Sequence, residues 1–120
     1  MAREITVTTT LQVQNANLAF TASAGSYSVD QATMGGPSPA YMEIGTSEEN
    51  TTFPELTTEG FLYMRNLDAT NYVEWGFSTG VYGGKMKAGE TALYRLKPGT
   101  TLYLKANTAA CKCVIYALED

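Results

Sequence analysis

Few residues in this chain have the chemistry to act on a substrate. It holds no histidine, which removes the side chain most used as a general base near neutral pH and the commonest zinc ligand. Cys111 and Cys113 stand two apart in sequence. On one strand face that spacing strains a direct disulfide, and without further Cys or His the pair cannot close a tetrahedral metal site. Reduced thiols packed as small apolar groups are the reading they favour. Glu74 and Glu90 are the candidate acids for glycoside hydrolysis, which needs two carboxyls that meet in space; an exposed acid on a half-buried sheet explains Glu74 as well. Asp68 and Asn71 carry oxygen ligands, but too thinly for calcium, and their short side chains suit a turn. Residues 79–86 fail as a phosphate-binding loop, because Thr79 stands where the first glycine belongs and Met86 where the Ser/Thr belongs. Gly83, Gly84 and Lys85 read instead as a turn. The expectation is a protein that is not an enzyme and holds no cofactor and no metal.

Recognition is the remaining chemistry. Trp75 and Tyr82, with tyrosines nearby in sequence, are candidates for an exposed aromatic surface, suited to sugar rings or to a protein interface. Core packing accounts for most of the aromatics equally well. A net charge of −4 and a pI near 4.7 oppose phosphate binding, so no nucleic acid is expected as a partner. No apolar run reaches the roughly 18 residues of a membrane span, and residues 1–5 lack the apolar core of a secretion leader. No membrane partner is expected, and synthesis in the cytoplasm is. Residues 1–60 carry one base against seven acids, and residues 61–120 seven bases against five acids. Such a split suits docking through complementary patches, although a solvated acidic loop gives the same count.

The elements that must position these residues read as strands. Its 120 residues make one domain able to bury a single core, and plentiful Thr, Gly and Tyr favour strands and turns over helix. Residues 60–76 read as a hairpin whose connection is 66–71, with Leu62 and Met64 on one face and Phe61, Tyr63 and Arg65 on the other. A second hairpin is expected from residues 91–96 and 101–106, turned by Lys97, Pro98, Gly99 and Thr100. Residues 111–118 are apolar on both faces apart from Lys112, which places them centrally in a sheet. Near the start, Ile5, Val7, Leu11 and Val13 alternate with polar residues. This is either the first strand of the domain or an arm that adds to a neighbour's sheet. Residues 18–23 form a short apolar segment turned by Ala24, Gly25 and Ser26. Residues 35–59 read as long loops with one short strand at 41–44.

The segments 64–76 (MRNLDATNYVEWG) and 88–106 (AGETALYRLKPGTTLYLKA), followed by the strand with both cysteines, resemble small virion proteins of tailed bacteriophages. The likeness covers the second half of the chain. It implies an all-β structural component of the particle, a head decoration (cement) protein or a neck, collar or tail accessory. The expected fold is thus an antiparallel β-sandwich or jelly-roll-like domain over 15–120, preceded by a strand or arm at 1–14. The expected partners are the major capsid protein or other virion proteins, and further copies of the chain in a homo-oligomer such as a trimer. Ile5, Val7, Leu11, Val13, Glu48, Glu49 and Phe53 are the candidate contacts, and a carbohydrate-binding module using Trp75 is the alternative from a different class.

Overall fold

The computed structural model describes residues 3–120; Met1 and Ala2, with which the expected arm 1–14 begins, lie outside them. Among the described residues there is no helix. Ten strands follow in order: β1 Ile5–Asn15, β2 Leu18–Val29, β3 Ser38–Ile44, β4 Glu49–Thr51, β5 Glu59–Asn66, β6 Val73–Gly76, β7 Gly84–Met86, β8 Thr91–Arg95, β9 Leu102–Ala106 and β10 Cys111–Glu119. Every pairing is antiparallel, as the all-β reading expects. The chain divides into two compact units, one ending at Ala32 and the other running Thr33–Asp120.

In the first unit β1 pairs with β2 from Ile5↔Val29 to Asn15↔Leu18. The strand expected from the alternation of residues 5–13 is therefore one half of a hairpin, closed by the two-residue loop Ala16 and Asn17, with Ala16 at φ +50°. Ala24, Gly25 and Ser26 do not form the expected turn. They carry a β-bulge, the register slipping opposite Thr9 and Thr10, with Gly25 at φ +67°. The bulge has a physical purpose. Apolar residues occupy even positions before it (Leu18, Phe20, Ala22) and odd positions after it (Tyr27, Val29), so one extra residue keeps them all on one face.

The second unit is a sandwich of two four-stranded sheets, β3-β10-β5-β8 and β4-β9-β6-β7. Consecutive strands change sheet at every connection except β6 to β7, which is the order of a jelly roll. Neither expected hairpin exists as read. β5 and β6 lie in different sheets, and so do β8 and β9. Leu62 and Met64 of β5 thus enter the core from one sheet while Val73 and Trp75 of β6 enter it from the other. Lys97 to Thr100 do turn, the Thr100 amide donating to the Lys97 carbonyl at 3.2 Å, but the turn arches across the sandwich. Gly84 and Lys85, read as a turn, belong to β7, opposite Trp75 and Glu74.

β10 sits between β3 and β5, as its two apolar faces predict. Its inner residues Cys111, Cys113, Ile115 and Ala117 are fully buried, and both thiols are unpaired. Burial pushes both thiols up, Cys113 to about 12, and so disfavours the thiolate in each. Phe53 and Leu56 drop into the core from the segment after β4.

Candidate functional site

The β1–β2 hairpin has two chemically distinct faces. On one, hydroxyls pair across the strands: Thr6 with Ser28 at 3.2 Å, Thr8 with Ser26 at 2.6 Å and Thr10 with Ser23 at 3.2 Å. The other face carries Ile5, Val7, Leu11 and Val13 from β1 beside Leu18, Phe20, Tyr27 and Val29 from β2. Of the candidate contacts on it, Ile5 and Val7 are buried, Val13 is half-buried and Leu11 is 66% exposed. Phe20 and Leu18 are also at least half exposed. No charged residue occurs between positions 5 and 29. An apolar sheet face that reaches solvent without a charge to solvate it is a candidate docking surface.

The sandwich presents two further surfaces. On the outer side of the first sheet, the rings of Tyr63 and Tyr116 stack at 6.0 Å and 11°. Tyr41, on the neighbouring β3, is half exposed. Beside them Arg95 lies over the Phe61 ring and pairs with Asp120 at 2.7 Å. The second surface is a groove of about 300 Å³ lined by Trp75, Phe77, Val81, Gly83, Gly84 and Tyr94. Phe77 and Tyr94 meet the indole edge-on, at 5.8 Å and 4.9 Å. Trp75 is itself only 5% exposed, and its Nε1 is buried without a hydrogen-bond partner.

The chain matches no protein-family model, no curated protein and no solved structure.

The remaining candidates fall in places that sequence alone did not indicate. Glu48 is committed to its own chain: its carboxylate accepts from Thr79 Oγ1 at 2.6 Å, from the Gly80 amide at 2.8 Å and from the Tyr82 hydroxyl. These bonds hold Glu48 below the usual carboxylate range and, through the bond to Glu48, push the Tyr82 phenol up to about 12. Trp75 and Tyr82 therefore form no exposed platform; the exposed aromatics of the sandwich are Phe77, Tyr94 and the three tyrosines on the outer side of the first sheet. Glu49 accepts the Gly45 amide at 3.3 Å. Phe53 is completely buried, so it offers nothing to a surface partner.

Among the acids, Glu74 stands in register with Lys85 on one side and Lys105 on the other. Glu90 accepts the Lys87 amide at 2.9 Å and closes the turn before β8. The two serve different local structures. Asp68 accepts the Asn71 and Thr70 amides at 2.7 and 3.0 Å, the turn role its type suggests, and these bonds lower its pKa. Among the described residues, no three His, Cys, Asp or Glu side chains converge where a metal could bind.

Leu18, Phe20 and Tyr27 were not singled out from sequence. Their signal was present as the switch of apolar residues from even to odd positions, which marks a bulge inside one strand.

Proposed function

We propose that this chain is a structural virion protein, a decoration subunit that stabilises a bacteriophage head through protein–protein contacts. The observation that carries the adhesive part of this reading is the charge-free hairpin, with an apolar face exposed at Leu11, Leu18 and Phe20. Monomeric proteins rarely leave such a face to water. The outer tyrosines add a second surface of the type enriched in interfaces, large apolar bodies ending in hydroxyls. The virion part rests on the resemblance of residues 64–76 and 88–106, with the jelly-roll order in support as fold analogy only. A subunit that makes a modest contact many times over a symmetric lattice gains through avidity.

The test is to incubate purified chain with undecorated heads and image the particles. Regularly repeated density over the shell supports decoration. Density confined to one vertex or to the tail supports a neck, collar or tail accessory instead, and no density on any particle overturns the virion reading.

The groove beside Trp75 favours a second reading, a carbohydrate-binding module, because aromatic walls and glycine backbone suit a neutral sugar ring. A glycan array decides it: binding that is lost in Tyr94→Ala, with the fold intact, would displace the adhesive reading.

A further inference from the structure

We infer that the partner covering the apolar face of the β1–β2 hairpin is the same face of a second copy of this chain. The inference rests on the adhesive reading above and names its first partner.

Charge is the first argument. All eight bases and twelve acids lie outside residues 5–29. A partner with charged groups would have to dehydrate them against a surface that offers no counter-charge, which is costly. A second copy presents an equally uncharged surface. Two copies of net charge −4 also repel each other, so the face without carboxylates is where they can approach at least cost.

Shape agrees with this. Eleven cross-strand pairs make a ribbon, and a two-stranded ribbon is marginal in water until one face is covered. Ile5 and Val7 are already buried, and the end that reaches solvent, from the Thr9↔Gly25 pair to Asn15↔Leu18, is about 24 Å long and about 10 Å wide by ordinary strand spacings. Stacking two such ends removes on the order of 500 Å² in total, the scale of a weak, reversible contact, so the pairing depends on concentration. The hydroxyl face needs no partner, because Thr6, Thr8 and Thr10 are already paired with serines. The apolar face is the one left over. A twofold axis through it sets Leu11 and Phe20 of one copy against their counterparts, since an isologous contact uses one patch twice. Neither strand carries a Lys or Pro, the residues that blunt strands against association.

The experiment uses the full chain in sedimentation equilibrium and native mass spectrometry. The native protein is expected as a dimer or a larger closed oligomer. The double variant Leu11→Asp with Phe20→Asp is expected to dissociate about 100-fold more readily, because each copy then buries two unpaired carboxylates. Gln12→Asp, on the hydroxyl face, is expected to leave the oligomer unchanged. A second pair of variants leaves the large apolar side chains in place: under mild oxidation Ala22→Cys should cross-link between copies, and Thr21→Cys, on the opposite face, should not. A monomeric native chain, an oligomer indifferent to the double variant, or equal cross-linking from both faces overturns the inference. A monomer that sediments with lipid vesicles overturns it too, by naming a different occupant. Head binding is scored in parallel on the same samples. A monomer that still decorates heads removes self-pairing and leaves the virion reading, whereas an oligomer that ignores heads does the reverse.

Discussion

The indole of Trp75 lies against the backbone of Gly84 so closely that a Cβ added there would sit 2.1 Å from Cε2. The two residues are cross-strand partners in β6 and β7, so neither can withdraw without breaking the ladder. Gly84 is required here for space, as its φ is ordinary.

Replacing Gly84 with alanine should therefore push the ring into Tyr94 or Phe77 and destabilise the sandwich by about 1–3 kcal/mol, the usual cost of overpacking. Gly83→Ala is the control, because its Cβ would meet nothing within 4 Å. Urea unfolding followed by the fluorescence of Trp75, the only tryptophan, reads both. Equal midpoints for the two variants would show that the contact is not tight.

Glu48 makes the segment around Gly80 sensitive to acid. Hydrogen bonds from Thr79, Tyr82 and Gly80 favour its charged form and lower its pKa from the ordinary 4.5. A carboxyl with a depressed folded value stabilises fully above its ordinary value and loses that contribution as pH falls through the depressed one. Protection of the Gly80 amide from hydrogen exchange should hold from neutral pH to about 4.5 and fall below it. Tyr82 has the opposite sign: its contribution is complete below the ordinary 10.0 and is lost as pH rises through about 12. In Glu48→Gln the acid step should vanish; an unchanged step would assign it to another carboxyl.

Asn66 is completely buried at the end of β5, yet all its polar groups are used. Its side-chain amide donates to the carbonyls of Asn71 and Met86 at 2.9 and 3.1 Å, and its oxygen accepts the Asp68 amide at 3.0 Å. It thereby shapes the arch that carries the chain from one sheet to the other. Asn66→Leu should cost about 3 kcal/mol, since it strands two carbonyls and an amide away from water. Asp68→Ala, which loses turn bonds that are exposed or only partly buried, should cost less. Thermal unfolding of both variants ranks them, and the reverse order would remove Asn66 from its role.

How much of this was readable beforehand depends on the range of the interaction concerned. Leu62 and Met64 inward with Tyr63 and Arg65 outward, or Leu102 and Leu104 inward with Lys105 outward, follow from a period of two and needed no structure. The turn at Pro98 and Gly99 was equally local. Where it led was not, because a hairpin and an arch between sheets use the same turn residues, and only packing between distant strands separates them. The same limit hid the clamp on Glu48, whose partners Thr79, Gly80 and Tyr82 lie over thirty positions away. The face of Leu18, Phe20 and Tyr27 is different. Its parity switch is local and legible, but a glycine at position 25 signals a turn and a bulge alike.

Phe53 and Phe20 give the sharpest contrast between structural and adhesive roles. Phe53 stands in a polar stretch and was a candidate contact, but it is fully buried at φ +55°. Its amide donates to Thr51 Oγ1 at 3.1 Å, and its carbonyl accepts the Leu56 amide at 3.0 Å. That local pattern turns the backbone so that the ring enters the core. Phe53→Ala should cost about 3–5 kcal/mol, the range for deleting a buried aromatic ring. Phe20 is half exposed, so Phe20→Ser should change the unfolding midpoint of the monomer little while weakening assembly. Measuring chemical unfolding and sedimentation on both variants separates the two roles. If Phe53→Ala instead left stability intact and blocked assembly, the ring would be at the surface after all, and the packing of the segment between β4 and β5 would have to be redrawn.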